Sequence, residues 1–307
     1  MSKRMIATVL CALVVGVLLS WFLQDLTFTG SDAKGSSTEV RSSGGPQRVI
    51  CMSPAVTEIV FALGQGDRVV GVSQSSEYPP EAREKQDCGG FINPNAEMLV
   101  SLRPDLIITQ GAAADLTDFA RAHDIEILSL GLTDLDSIVS SIEEAGKALD
   151  CGPEAERLCA AMRLELARVG ARVAGMRKPR VLLVIGPVSD SLKNLLTVGS
   201  GNFLNDVLEV SGGQNIFSDL SYDYPMVSME SLMERAPEVI VELRGEGKVA
   251  PEEVARTKAM WSAMPALPAV RDGRVYVVGS TYALIPGPRI AGLADELAAV
   301  LHPTEGR

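Results

Sequence analysis

The chain has 307 residues, enough for one large domain or two mid-sized ones. Hydrophobic residues make up 46% and charged residues 22%, so a core can form and wholesale disorder is excluded. A net charge of -11 argues against nucleic acid as a partner, because binding phosphates needs clustered Lys and Arg. Two histidines, and five cysteines with no CxxC pair, leave out His-rich metal sites, zinc ribbons and thioredoxin chemistry.

Lys3 and Arg4 precede an uncharged run over residues 5–23, which Gln24 and Asp25 follow. As a helix that run is about 28 Å long, close to the ~30 Å hydrocarbon core. The basic flank places the remainder outside the cytoplasm, in the periplasm or another extracytoplasmic space. Residues 1–25 therefore read as a signal peptide or an uncleaved membrane anchor, and no A-x-A cleavage signal decides between them. Residues 26–47 turn to Gly, Ser, Thr and scattered charge, the composition of a flexible tether.

From residue 48 strand-like and helix-like segments alternate. A short strand at 48–52 leads into Ser53-Pro54, an N-cap followed by Pro at the first helical position, and a helix to residue 63. Gly64 and Gly66 end it, and a strand follows at 69–72. Further strands at 106–109 and 126–130 alternate with helices near 115–123 and 135–149. From Pro153 to about residue 176 the pattern is purely helical, with no Gly or Pro before Gly170, which predicts one long spacer helix. Alternation resumes at 180–185 and continues through 239–242 and 274–278 to a last helix near 291–301. The expected fold is α/β: two three-layer lobes with mainly parallel sheets, one at 48–150 and one at 179–307, joined by a single linker helix at 151–178. A ligand cleft is expected between the lobes.

An internal repeat supports two related lobes. Glu97, Leu99, Pro104, Asp105, Ile107 and Ile108 are matched by Glu230, Leu232, Pro237, Glu238, Ile240 and Val241, at a constant offset of 133. Each copy reads as a short helix, a Pro turn and a buried strand.

Open α/β sheets bind ligands at the carboxyl ends of their strands. There the sequence places Ser75 after the second strand, Phe91 before Asn93-Pro94-Asn95, Tyr222 and Tyr224 before Pro225, and Tyr282 after the strand ending near residue 278. Flat rings suit a planar macrocycle, since they give contact area at little conformational cost. Tyr78, beside Pro79-Pro80, reads as loop packing, and Arg244 and Arg289 are the cations near the expected cleft. Gly64-x-Gly66 follows a helix and leads into a strand, so it is a cap and no phosphate loop. No G-x-S-x-G occurs, and His123 sits on a predicted helix without a visible partner, so no enzyme is expected and no cofactor or metal centre.

The segments RVICMSPAVTEIVFALGQGDRVVGVSQSSEYPPEA and GGFINPNAEMLVSLRPDLIIT, followed by VGSGNFLNDVLEVSGGQNIFSDL and YPMVSMESLMERAPEVIV, resemble periplasmic (class III) substrate-binding proteins of ABC importers, of the cobalamin and ferric-siderophore type. The resemblance spans residues 48–301. It implies two lobes on one rigid helix, capture of a metal chelate outside the membrane, and delivery to an ABC importer permease dimer. It puts Phe91, Tyr224 and Tyr282 where the family places ligand-holding aromatics, and Ser75 and Tyr222 join them as candidates by their position in the loops, with a corrinoid favoured and a ferric siderophore or haem as alternatives. It also implies that Glu97 and Glu230, one per lobe, meet basic groups on the two permease subunits. A monomer is expected, held at the membrane by its N-terminal segment, with lobes that move little because the spacer has no hinge before Gly170. Cysteine pairing stays open: Cys51 and Cys88 both lie near strand ends, whereas Cys151 and Cys159 on one helix would be about 12 Å apart and beyond bonding reach.

Overall fold

The computed structural model describes residues 45–187, 192 and 195–303. The expected leader or anchor at 1–25 and residues 26–44 of the tether lie outside them. Among the described residues no helix is long and apolar enough to cross a membrane.

The N-terminal lobe is built on a parallel sheet of β1 (Val49–Cys51), β2 (Val69–Val72), β3 (Gln86–Asp87), β4 (Leu106–Gln110) and β5 (Glu126–Leu130), in the order β3-β2-β1-β4-β5. Its helices are α1 (Pro54–Ala62), α2 (Ala96–Ser101), α3 (Ala114–Ala122) and α4 (Leu135–Ala148). A single helix, α5 (Gly152–Val173), leads to the C-terminal lobe. It stops short of the expected residue 178 because the chain turns at Gly175, whose φ of +77° suits glycine. The second lobe carries β6 (Arg180–Ile185), β7 (Leu195–Leu196), α6 (Phe203–Val210), β8 (Gln214–Asn215), β9 (Met226–Val227), α7 (Met229–Arg235), β10 (Val239–Arg244), α8 (Pro251–Trp261), α9 (Pro268–Arg271), β11 (Val275–Gly279) and α10 (Ile290–Leu301). Its main sheet is parallel in the order β11-β10-β6-β8, with β7 and β9 as a separate antiparallel pair.

Strand periodicity explains the three layers. Val49 and Cys51 point to one face of the first sheet with Leu106 and Ile108, while Ile50, Met52 and Ile107 point to the other, where Leu99 and Leu116 cover them. In the second lobe Val181 and Leu183 face one way, and Leu182 and Val184 the other, against Leu232 and Trp261. The first face of each sheet belongs to one continuous core that runs through Ala155, Cys159, Met162, Val169 and Val173 of α5. The linker helix is thus part of the core of both lobes, and it packs on α4 and α10.

The repeat holds down to single hydrogen bonds. Asn95 caps α2 by accepting from Met98 N, and Ser228 caps α7 by accepting from Ser231 N. Leu99 and Leu232 are both fully buried. Arg103 and Ala236, again 133 apart, take φ of +44° and +41°. Asp105 accepts from Arg48 N and Glu238 from Arg180 N, each at 2.9 Å. The guanidinium groups of Arg48 and Arg180 donate to the carbonyls of Leu102 and Arg235, which are also matched positions.

One expectation changes, and the open cysteine pairing is resolved. The fold begins before residue 48, since Gln47 N donates to Asp105 Oδ2 at 2.8 Å and Arg68 Nη1 to Pro46 O at 3.3 Å. Cys51 and Cys88 are free and buried, as are Cys151 and Cys159. Strand β2 separates β1 from β3, so Cys51 and Cys88 stand about two strand spacings, ~10 Å, apart and point to opposite faces of the sheet.

Candidate functional site

The carboxyl ends of β1, β2, β10 and β11 converge on a cleft of about 620 Å³. From the N-terminal lobe come Pro54 and Glu58 of α1 and the loop residues Ser75, Glu77, Tyr78 and Arg83. The C-terminal lobe supplies Glu246, which follows β10, and Thr281, Leu284 and Ile285, which follow β11. An adjoining recess of about 290 Å³ shares Pro54 and Ser75 and is walled by Phe91 and Ile92.

Local sequence sets the frame. Ser53 Oγ accepts from Val56 N, and Pro54 fills the first turn, so α1 starts immediately at the end of β1. The loop after β2 is held from below by a hydroxyl chain: Thr57 Oγ1 meets Ser76 Oγ at 2.9 Å, and Ser76 Oγ meets Ser73 Oγ at 2.8 Å. These buried hydroxyls present Ser75 and Tyr78 outward.

Glu58 projects from α1 toward the second lobe and meets Arg289, at the start of α10. The contact is bidentate, Nη2 to Oε1 at 2.5 Å and Nε to Oε2 at 2.9 Å, with side-chain exposures of 2% for Glu58 and 20% for Arg289. Arg289 Nη1 also donates to Thr281 Oγ1 at 2.9 Å. Its guanidinium lies 3.7 Å from the Tyr78 ring centroid and 5.0 Å from that of Tyr282. Burial pushes the Glu58 carboxyl up, against the pull of Arg289 in the other direction.

The structure brings only some of the expected site residues together. Ser75 lines both cavities and Phe91 the recess. Tyr222 and Tyr224 lie between β8 and β9, are exposed, and do not line the cleft. Tyr224 nevertheless stands 133 residues after Phe91, so each lobe carries an exposed ring at the same place in the repeat. Tyr282 sits behind Arg289 with its phenol donating to Glu296 Oε1 at 2.5 Å, and burial together with that carboxylate pushes its pKa up. Glu97 and Glu230 are exposed in the first turns of α2 and α7.

Tyr78 is corrected from loop packing to cleft wall, and Arg244 is no cleft cation. Arg244 turns under α8, where Glu242 Oε1, Glu253 Oε2 and Thr257 Oγ1 hold it at 2.6, 3.1 and 3.0 Å. The sequence reading passed over Glu58, whose signal was a lone carboxylate in the apolar helix PAVTEIVFA. Among the described residues no group of three or more His, Cys, Asp or Glu side chains is placed to hold a metal ion.

The model of the family described as periplasmic binding protein matches residues 49–282. A vitamin B12-binding protein of Vibrio parahaemolyticus is 28% identical over 246 residues, covering 79% of this chain and 85% of the relative. An uncharacterized ABC transporter substrate-binding lipoprotein of Bacillus subtilis is 28% identical over 273 residues, covering 87% and 84%. Among solved structures, a periplasmic heme-binding protein from Roseiflexus sp. RS-1 has a TM-score of 0.68 at 26% identity, covering 84% of this chain and 98% of that one.

Proposed function

We propose that this chain, which belongs to the periplasmic binding protein family and serves as an extracytoplasmic substrate-binding protein of ABC transport, takes a corrinoid between its lobes. The charge of the cleft carries the choice of ligand. Its lining has three carboxylates, Glu58, Glu77 and Glu246, against one guanidinium, Arg83, which Glu77 already pairs at 3.2 Å. Arg289 is occupied by Glu58. An anionic ferric siderophore would find acceptors of its own sign and, among the described lining residues, no cation without a carboxylate partner. A corrinoid offers the opposite chemistry, a broad ring edged by amides whose N–H groups donate to carboxylates and hydroxyls. Tyr78, Leu284 and Ile285 supply apolar contact, and Ser75, Glu77, Glu246 and Thr281 supply acceptors.

A second reading is haem, and Tyr78 favours it, because an exposed phenol in the cleft can ligate iron. Equilibrium dialysis against cyanocobalamin, haemin and a ferric catecholate decides. Saturable one-to-one uptake of cyanocobalamin, with little retention of the catecholate, is the expected result. Preferential haemin binding with a shifted Soret band would replace the corrinoid.

A further inference from the structure

The C-terminal wall of the cleft comes mostly from the loop after β11, which supplies Thr281, Leu284 and Ile285. Two turns shape it: Ala283 N donates to Ser280 O at 2.9 Å, and Ile285 N to Tyr282 O at 3.1 Å. Turns fix the loop's own shape and leave open how it sits on the lobe. Ser280 and Tyr282 decide that. Neither lines the cleft, and both turn back to one carboxylate, Glu296 of α10. The Ser280 hydroxyl lies 2.7 and 2.8 Å from the two Glu296 oxygens, and the Tyr282 phenol donates to Oε1 at 2.5 Å.

The helix is shaped to receive that ring. Arg289, Gly292 and Glu296 stand three and four residues apart, so they share a face, and Tyr282 lies along it. The Arg289 guanidinium is 5.0 Å from the ring centroid, Glu296 takes the hydroxyl, and Gly292 lies between them. A Cβ at Gly292 would come within 3.2 Å of Cε2, Cζ and the hydroxyl oxygen of Tyr282, so that glycine marks a close approach. Packing alone does not call for the carboxylate. Ile290, Leu293, Ala294 and Leu297 seat α10 in the core, and the neighbouring Asp295 is held by Arg172 of α5 at 2.6 Å. Glu296 is half-buried, where a carboxylate needs donors, and its donors come from the cleft loop.

We propose that Glu296 is a positioning residue of the ligand site: through Ser280 and Tyr282 it sets the loop that presents Thr281, Leu284 and Ile285 to the ligand. Tyr282 is then a strut behind the wall and no ligand contact. This rests on the cleft reading above and deepens it. Arg289 is set by the same strut, since its guanidinium lies between the Tyr282 and Tyr78 rings while it binds Thr281 and Glu58. A loop already in place when the ligand arrives needs no ordering on binding, which strengthens affinity without adding a contact.

The test compares the full chain with Glu296→Leu, Glu296→Gln and the control Asp295→Asn in three measurements: cyanocobalamin affinity by equilibrium dialysis, amide hydrogen exchange of residues 280–287 without ligand, and Tm. Gln keeps an oxygen for both hydroxyls, and Leu keeps none. Glu296→Leu is expected to weaken cyanocobalamin binding roughly tenfold and to speed exchange at 280–287 about tenfold, with exchange in β10 and β11 as in wild type. Glu296→Gln and Asp295→Asn should stay within about threefold of wild type in both readouts. A merely structural carboxylate would lower Tm in Glu296→Leu and leave affinity unchanged, and that result overturns the proposal. Weaker binding without faster exchange overturns it too, because Glu296 would then be a ligand contact, as does an equal loss in Glu296→Gln or Asp295→Asn. A wild-type chain that retains haemin in place of cyanocobalamin overturns the corrinoid and not the positioning role, which the same variants then decide with haemin. A wild-type chain that retains neither overturns the cleft reading, and the positioning role with it.

Discussion

Arg289 and Glu58, 231 residues apart in the chain, close a bidentate ion pair from one lobe to the other beside the cleft. Both charges are largely removed from water, and the pair is completed by Thr281 and by the Tyr78 ring above the guanidinium. Deleting one member leaves a buried charge without its partner, which costs about 3–5 kcal/mol, whereas replacing both by apolar groups of similar size is far milder. Glu58→Leu and Arg289→Met should each lower Tm strongly, and the combined variant should recover most of the loss. Single variants that melt with the wild type would show that the pair adds nothing to the union of the lobes.

The walls of the cleft rank its rings. Tyr78 is in the lining and Phe91 is in the adjoining recess, while Tyr222 is 76% exposed and outside both. Tyr78→Ala is expected to weaken cyanocobalamin binding roughly tenfold or more, Phe91→Ala less, and Tyr222→Ala hardly at all, as contact area in each case dictates. Equilibrium dialysis of the three variants gives the order. A Tyr222→Ala loss equal to that of Tyr78→Ala would move the ligand to the outer rim of the second lobe.

The cysteines give a chemical prediction. Burial pushes the Cys88 thiol up to about 11, and it pushes Cys51 up as well, so neither is a thiolate near neutral pH. Iodoacetamide at pH 8 should leave both unmodified in the native protein and label both in urea, with mass spectrometry of the peptides as the readout. Rapid native labelling would contradict the burial of both thiols, and a disulfide-linked Cys51–Cys88 peptide would contradict the separation of β1 from β3 by β2.

That separation marks where the sequence stops being informative. Alternation of apolar strands and helices, Ser53-Pro54 at a helix start and the unbroken 153–169 stretch locate the long central strands and the helices α1, α3, α4, α5 and α10, because these signals are local. The two-residue strands β3, β7, β8 and β9 and the helices α6, α8 and α9 are not among the sequence expectations. The repeat is legible for the same reason: Leu99, Pro104 and Asp105 recur with their spacing intact in Leu232, Pro237 and Glu238. Strand order is not local, so the sequence leaves the pairing of Cys51 with Cys88 open, and in the fold β2 lies between their strands. The Glu58–Arg289 pair joins residues that only the closing of two lobes brings together. Tyr78 looked like a turn residue because its neighbours are prolines, yet Arg289 from the other lobe holds its ring at the cleft.

The start of α4 carries a pH signature. Asp134 accepts from Ser137 N at 2.7 Å while Ser137 Oγ accepts from Asp134 N, and the hydrogen bond from the Ser137 amide holds the Asp134 carboxyl below its ordinary range. A depressed folded-state pKa means stabilisation that is present above the unfolded value, about 3.9, and lost as pH falls toward the folded one. Asp134→Ala should therefore cost about 1 kcal/mol at pH 7. The gap in Tm between variant and wild type should narrow as pH falls below the unfolded value of about 3.9. A gap that widens in acid would reverse the sign and remove the carboxylate from the capping role.

Ligand binding is expected to move the lobes little. Helix α5 runs unbroken from Gly152 to Val173 and shares its buried face with both lobes, so bending it would open the common core at Cys159, Met162 and Val169. Two further ties join the lobes directly at separate points, Glu58 with Arg289 and the Leu135 amide with Asp206 Oδ2 at 3.1 Å. Arg172 near the end of α5 holds Asp295 of α10 at 2.6 Å, which fixes the helix to the second lobe. A hinge needs a place where backbone angles can change without breaking packing, and none of these contacts leaves one between residues 152 and 173. Small-angle scattering with and without cyanocobalamin should show a change in radius of gyration below about 1 Å, as in preorganised complexes. A change of several ångströms would mean that α5 bends or that the Glu58–Arg289 pair parts when the cleft fills.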